Sequence, residues 1–202
     1  MMLKFLALLA GFSLIVWSYA VSAGETTQKK PFSCANCHAT EQRNQELQGP
    51  NLAGQNSAYL IKQIRSFRSQ TRFHPILNIN TESPSNDEIA SLATYYSNLA
   101  PENTESAVLA DKLNEDDALA YSPCSACHGG DGEGISPFPR LVGQKPAYLE
   151  QQLVNFKTGV RENAVMQAIA INLSDKEIKS LAAYLGSKKQ AKKMMTSNII
   201  AQ

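Results

Sequence analysis

Two short strings contain all four cysteines of the chain and two of its three histidines: Cys34-Ala-Asn-Cys37-His38 and Cys124-Ser-Ala-Cys127-His128. This spacing is typical of covalent haem attachment, because the two thiols add across the porphyrin vinyl groups and the adjacent imidazole then lies under the iron. A redox dithiol needs no such histidine, and a structural zinc site needs more cysteines or histidines than remain. We therefore expect two covalently attached haem c groups, with His38 and His128 as proximal iron ligands.

A proximal histidine also needs an acceptor for its other ring nitrogen, because that hydrogen bond fixes the ring and tunes the iron. A backbone carbonyl near Pro50 is the candidate acceptor for His38, and one near Pro139 for His128. Both prolines could also simply make turns, and the two roles are compatible.

The elements around these strings occur twice, at an offset of 89 residues. The matched pairs include Pro50/Pro139, Gln55/Gln144, Tyr59/Tyr148, Gln63/Gln152, Phe67/Phe156 and Arg72/Arg161. Apolar residues recur at helical spacing in each copy. A Ser-x-x-Glu capping box predicts that the last helix begins near Ser85 in one copy and near Ser174 in the other. We expect an all-α chain of two tandem domains. Each domain is small enough to need additional stabilisation, such as a covalent cofactor.

Met166 is the candidate distal ligand of the second haem. It is the only methionine between Met2 and Met194, and we expect it on the loop between the two later helices of the second repeat. A thioether favours ferrous iron, so ligation by histidine and methionine raises the reduction potential and closes the iron to added ligands. Core packing is the alternative role for this side chain.

The first haem lacks an equivalent methionine, because the matching position is Leu77, which cannot bind iron. His74, three residues earlier, could replace it and give a bis-histidine haem of lower potential. An open or water-bound iron is the competing interpretation, and His74 is then a solvent-facing loop residue. Further candidates are Asn78 and the methionines Met194 and Met195 near the end of the chain.

The N-terminus has the pattern of a secretory signal. Lys4 precedes an apolar stretch, and Val21-Ser22-Ala23 forms a small-residue cleavage site, with an uncleaved anchor as the alternative. We expect a signal peptide at 1–23, a first domain at 24–99, a polar linker at 100–111, a second domain at 112–187 and a basic tail at 188–202.

The amino-acid composition and charge of the chain limit the classes of molecule that it could bind. With 43% hydrophobic and 18% charged residues, and with 19 basic against 18 acidic side chains, the chain is neither disordered nor suited to nucleic acid. A nearly neutral surface predicts docking through small local patches. The four tail lysines, Lys188, Lys189, Lys192 and Lys193, could contact anionic lipid or an acidic partner, or form a solvated end.

The chain from about residue 32 to 186 resembles the dihaem cytochrome c4 family, tandem class I c-type cytochromes of the bacterial periplasm. The resemblance is carried by the segments Cys124-Ser-Ala-Cys-His-Gly-Gly-Asp-Gly, Phe138-Pro-Arg-Leu-Val-Gly-Gln, Tyr148-Leu, Phe156…Gly159, Met166 and Leu173-Ser-Asp…Leu181-Ala-Ala-Tyr. It implies that each domain wraps one haem and that the domains pack about a pseudo-twofold axis. It also implies an association with the inner membrane surface and electron delivery to terminal oxidases. Leu77 and the short polar lead at 24–31 depart from the family pattern.

These observations favour an electron carrier that accepts and passes single electrons between respiratory proteins, and not an enzyme, since no acid–base pair is evident. One rival is a haem enzyme or sensor in which the first haem binds peroxide, nitric oxide or an oxidised sulfur species. Another is a cytochrome subunit held by a flavoprotein or molybdenum dehydrogenase, which an apolar patch near one haem edge would favour.

Overall fold

The computed structural model describes residues 32–38, 49–101 and 115–188, and every regular element in these ranges is a helix. The first repeat contains α1 (Phe32–His38), α2 (Ser57–Arg68), α3 (Pro75–Asn80) and α4 (Asn86–Asn98). The second contains α5 (Glu115–His128), α6 (Pro146–Lys157), α7 (Ala164–Ala170) and α8 (Asp175–Ser187). The predicted signal peptide, most of the linker and the tail beyond Lys188 lie outside the described residues. Within the described part, no helix is long and apolar enough to cross a membrane.

Two capping boxes fix where the last helix of each repeat begins. The Ser85 hydroxyl accepts from the Glu88 N–H at 3.2 Å, and the Glu88 carboxylate accepts from the Ser85 N–H at 2.8 Å. Ser174 and Glu177 repeat this arrangement at 3.2 and 2.7 Å. Each box pairs amide groups that have no partner within the helix, and both predicted starts are confirmed.

The core of each repeat lies where the motif helix meets the two longer helices that follow. In the first repeat, Leu60 of α2 packs with Ala93 and Tyr96 of α4, and Cys34 of α1 packs against them. In the second, a cluster of Tyr121, Leu149, Leu181, Ala182, Tyr184 and Leu185 joins α5, α6 and α8, with Cys124 against it. The first cysteine of each string is therefore anchored on a packed core.

Two short helices occupy positions for which the sequence predicted loops. Met166 lies in α7 and Leu77 in α3, so the loop expected for Met166 is wrong. Helix α7 is preceded by Asn163, whose side chain accepts from the Met166 N–H at 3.0 Å. Helix α3 is preceded by His74, whose Nδ1 accepts from the Leu77 N–H at 3.4 Å. Helices of six or seven residues are too short to be recognised from hydrophobic periodicity. The capping side chain determines where each of them begins.

The two repeats contact each other through reciprocal hydrogen bonds. The side chain of Gln144 accepts from the Asn51 N–H at 2.8 Å and donates to the Asn51 carbonyl at 2.9 Å. Gln55 does the same to Arg140, at 2.7 and 2.9 Å. Because Gln55 and Gln144 are repeat equivalents, as are Asn51 and Arg140, this exchange has the pattern of a pseudo-twofold axis.

Two arginines make further hydrogen bonds across the same interface. Arg161 donates across the interface to Tyr59 Oη at 3.0 Å and to Gln63 Oε1 at 2.9 Å. Its equivalent Arg72 donates to Tyr148 Oη at 3.2 Å and to Gln152 Oε1 at 2.8 Å. Each guanidinium also lies over a phenylalanine of its own repeat, 4.6 Å from the Phe67 centroid for Arg72 and 4.5 Å from that of Phe156 for Arg161.

Candidate haem sites

His38 is the last residue of α1, and its ring is held by the segment that starts at Gly49. The Nδ1 atom lies 2.9 Å from the carbonyl oxygen of Pro50. Because a carbonyl only accepts, Nδ1 carries the proton and Nε2 is left unprotonated, as a metal ligand requires. Gly49 packs directly on the ring, where a Cβ would overlap the imidazole. The lack of a side chain at Gly49 is what allows this close approach.

His128 ends α5 and is held in the same way. Its Nδ1 donates to the carbonyl oxygen of Pro139 at 2.9 Å, and the edge-on ring of Phe138 has its centroid 6.2 Å away. The carbonyl acceptors predicted near Pro50 and Pro139 are confirmed. Both imidazoles are thus oriented by backbone carbonyls of their own repeats.

Burial lowers the pKa of both proximal histidines below the usual value of 6.5. The hydrogen bonds to Pro50 and Pro139 oppose this shift without reversing it. At His38, the nearby charges of Lys145 and His74 lower the pKa further. Both rings are therefore neutral at pH 7, which is the form that binds a metal ion.

The four cysteines form no disulfide, and two of them lie on α1 and two on α5. Burial, with a smaller contribution from Cys127, raises the pKa of Cys124 above its usual 9.0. A reactive redox dithiol depends on a lowered thiol pKa, so this environment does not fit one. No group of three or more His, Cys, Asp or Glu residues in the described ranges could hold a metal ion.

Met166 is half-buried on α7, a helix that packs against α6. No contact joins Met166 to His128 among the hydrogen bonds and ring contacts of the described residues, and its ligand role stays a prediction. Leu77 is its counterpart on α3 and is also half-buried.

His74 lies close enough to His38 for its charge to affect the pKa of that ring. The His74 side chain is exposed, and its ring meets Phe67 edge-on with a centroid separation of 6.5 Å. No hydrogen bond or ring contact of the described residues joins His74 to His38, and the ligand role of His74 stays a prediction.

Asn78 is unsuited to iron, which corrects one of the alternatives raised by the sequence. Its side chain is buried and fully engaged: it donates to the carbonyls of Phe67 and Arg72 and accepts from the His74 N–H at 2.6 Å. Turning this side chain toward an iron would break these hydrogen bonds, and a buried group left unpaired costs about 1–3 kcal/mol. The candidates Met194 and Met195 lie outside the described residues.

This donor set fits covalently bound haem. Each repeat offers one neutral, oriented imidazole beside two thiols spaced Cys-x-x-Cys on the same helix. Tyr96 Oη, in the core on which Cys34 packs, is buried and has no hydrogen-bond partner among the described residues.

Comparison with known proteins agrees with this chemistry. Residues 113–185 match the family described as cytochrome C oxidase, cbb3-type, subunit III. Cytochrome c-552 of Acidithiobacillus ferridurans is 30% identical over 197 residues, covering 89% of this chain and 86% of the relative. The solved cytochrome c4 of Acidithiobacillus ferrooxidans aligns with a TM-score of 0.59 and 31% identity, covering 69% of this chain and 89% of the other. The chain belongs to the dihaem cytochrome c4 family.

As a member of the cytochrome c4 family, the chain carries two covalently bound haem c groups in two all-α domains. A relative with a different name has similar coverage. The thiosulfate dehydrogenase electron acceptor of Thiomonas intermedia is 31% identical over 169 residues, covering 77% of this chain and 78% of the relative. We call the haem of the Cys34–His38 string haem one and that of the Cys124–His128 string haem two.

The residues that join the two domains were not predicted from the sequence. The matched pair Arg72 and Arg161 was visible as part of the repeat, but nothing in it indicated contacts across an interface. Lys145 gave no signal, because it has no charged counterpart in the first repeat. Its Nζ donates to the carbonyl oxygen of Gly49, 96 residues away, at 2.6 Å.

Proposed function

We propose that this cytochrome c4-family protein is a periplasmic carrier that moves single electrons from a dehydrogenase to a respiratory acceptor such as a terminal oxidase. The observation that carries the proposal is the pair of neutral histidines, His38 half-buried and His128 buried, each fixed by a proline carbonyl, in two domains packed against each other. Haem supplies reversible one-electron chemistry when bound. The protein orients the proximal imidazoles, excludes water from them and holds the domains together.

The electron donor is proposed to be a dehydrogenase that oxidises reduced sulfur compounds. This proposal is supported by the similarity to the thiosulfate dehydrogenase electron acceptor of Thiomonas intermedia. Export follows from the signal pattern at 1–23. The nearly balanced charge of the chain favours docking that depends little on ionic strength.

A carrier should be closed to small molecules at both haems. We expect the reduced protein to bind no carbon monoxide, and the oxidised protein to give two low-spin signals in electron paramagnetic resonance. We also expect stopped-flow reduction by a thiosulfate dehydrogenase to place one electron on each haem. Rapid binding of carbon monoxide at one haem would contradict the carrier proposal and favour the enzyme or sensor, whose supporting observation is Leu77 in place of methionine.

The iron ligands follow from the same proposal. His38 and His128 are the proximal ligands, Cys34, Cys37, Cys124 and Cys127 form the thioether bonds, Met166 is the distal ligand of haem two and His74 is the sixth ligand of haem one. For His74, ligation through Nε2 places the proton on Nδ1, which can then no longer accept from the Leu77 N–H. That hydrogen bond is long, at 3.4 Å, and exposed, so its loss costs little.

Two substitutions distinguish the role of His74 as the cap of α3 from its proposed role as an iron ligand. The residue equivalent to His74 in the second repeat is Asn163, whose side chain caps α7. His74→Asn therefore keeps a capping side chain before α3 and removes the imidazole. We expect both His74→Asn and His74→Ala to convert haem one from low spin to high spin and to admit carbon monoxide. Absorption and paramagnetic resonance spectra check this. Unchanged spectra in His74→Asn would show that His74 only caps α3.

A further inference from the structure

One lysine of the second domain reaches the loop that holds the proximal histidine of the first. Lys145 is the residue before α6, and its side chain makes no hydrogen bond to that helix. Its Nζ instead donates to the carbonyl oxygen of Gly49 at 2.6 Å, across the domain interface. The contact is half-buried, so the charge is only partly screened by solvent.

Gly49 connects this lysine directly to the haem one ligand. The Gly49 N–H donates to the carbonyl of Cys37 at 2.8 Å, and the residue packs on the ring of His38. The next residue, Pro50, accepts the Nδ1 hydrogen bond of His38. The ammonium therefore contacts the short segment that fixes the proximal imidazole.

Haem two has no such arrangement. The repeat equivalent of Lys145 is Asn56, a neutral residue that caps α2 by accepting from the Tyr59 N–H at 3.2 Å. The equivalent of Gly49 is Phe138, whose ring meets His128 edge-on. Among the described contacts, a lysine ammonium thus reaches Gly49, whereas the residue equivalent to Lys145 in the first repeat is the neutral cap Asn56.

We propose that Lys145 is a positioning residue that raises the reduction potential of haem one, so that domain packing sets the driving force between the two haems. The proposal rests on the proposed function, in which His38 is the proximal ligand of haem one. A fixed positive charge disfavours the ferric state, which carries one more positive charge than the ferrous state. The effect opposes the lower potential that a bis-histidine ligand set gives. Haem one therefore depends electrostatically on a residue of the other domain.

The test is a redox titration of the full-length protein with both haems attached. Lys145→Met removes the charge and Lys145→Arg retains it. Lys157→Met is the matched control, because Lys157 also donates to a backbone carbonyl, that of Leu173 at 2.7 Å, and its other contact is Asp175 at 3.3 Å, within the second domain. Proton magnetic resonance spectra of the haem methyl groups in the ferric state measure the oxidised fraction of each haem separately.

At a fixed applied potential, we expect Lys145→Met to raise the ferric-to-ferrous ratio of haem one about fivefold, a downward shift of about 40 mV, since tenfold corresponds to about 59 mV. Haem two should shift less, Lys145→Arg should restore haem one, and Lys157→Met should leave both haems unchanged. An unchanged haem one in Lys145→Met, or an equal shift in Lys157→Met, overturns the inference.

A second neutral substitution and two further measurements distinguish the loss of the Lys145 charge from a loss of domain packing. Lys145→Gln is also neutral but can still donate a hydrogen bond to Gly49, so it should lower the potential of haem one while the thermal midpoint stays near that of the wild type. Mass spectrometry must find two haems in every variant. If the chain carries no haem at Cys34 and Cys37, the proposed function fails. If both haems are present and their potentials do not move, only the role of Lys145 fails.

Discussion

Met166→Ala is expected to open haem two to carbon monoxide and to lower its reduction potential by on the order of 0.1 V. A thioether stabilises ferrous iron and fills the sixth position, and alanine can do neither. Helix α7 should survive, because Asn163 caps it through the backbone N–H of residue 166 and alanine is a good helix former. Carbon monoxide difference spectra and a redox titration measure the two effects.

Val165→Ala is the control for this substitution. Val165 is the adjacent residue on α7 and is 63% exposed, so its truncation changes the same helix without touching the ligand. We expect normal spectra from Val165→Ala and one bound carbon monoxide per chain from Met166→Ala. If Met166→Ala stays low spin and inert to carbon monoxide, Met166 is a packing residue and haem two has another sixth ligand.

Features that depend on local sequence could be predicted. The Cys-x-x-Cys-His strings predict haem attachment by themselves, and the four-residue capping boxes at Ser85 and Ser174 predict where two helices begin. The carbonyls of Pro50 and Pro139 could be predicted because a proximal histidine requires an acceptor and each proline follows its motif in the same repeat.

Features that depend on packing between domains could not be predicted. Whether Lys145 caps its own helix or crosses to Gly49 is decided by where the first domain sits, and its sequence neighbours say nothing about that. Asn78 was considered a ligand because its polarity is visible in the sequence, whereas its burial and its hydrogen bonds to the carbonyls of Phe67 and Arg72 are not. The short helix α7 was missed because seven residues give fewer than two turns of periodicity.

Arg161→Met is expected to lower the free energy of unfolding by about 2–3 kcal/mol, because hydrogen bonds from a charged donor contribute about 1.5–3 kcal/mol. The Arg161 side chain is 8% exposed and donates to Tyr59, Gln63 and Gln152. Methionine fills much of the volume but removes the arginine donor of Tyr59 and leaves Gln63 and Gln152 with Arg72 alone. Relief of repulsion from Arg72, which shares the Gln63 oxygen, offsets part of the loss. Chemical denaturation of the dihaem protein measures the net effect.

Arg65→Met is the matched control, because Arg65 lies exposed on α2 and its loss should change the unfolding free energy by less than about 0.5 kcal/mol. Titration of the tyrosines gives a second measurement that a change in packing alone would not reproduce. Burial raises the pKa of Tyr59, but the charges of Arg161 and Arg72 and the hydrogen bond from Arg161 outweigh it, so the pKa lies below its usual 10.0. Arg161→Met should therefore move the Tyr59 titration to higher pH. Equal stability losses in the two variants, with an unmoved Tyr59 titration, would mean that the arginine pair does not hold the domains together.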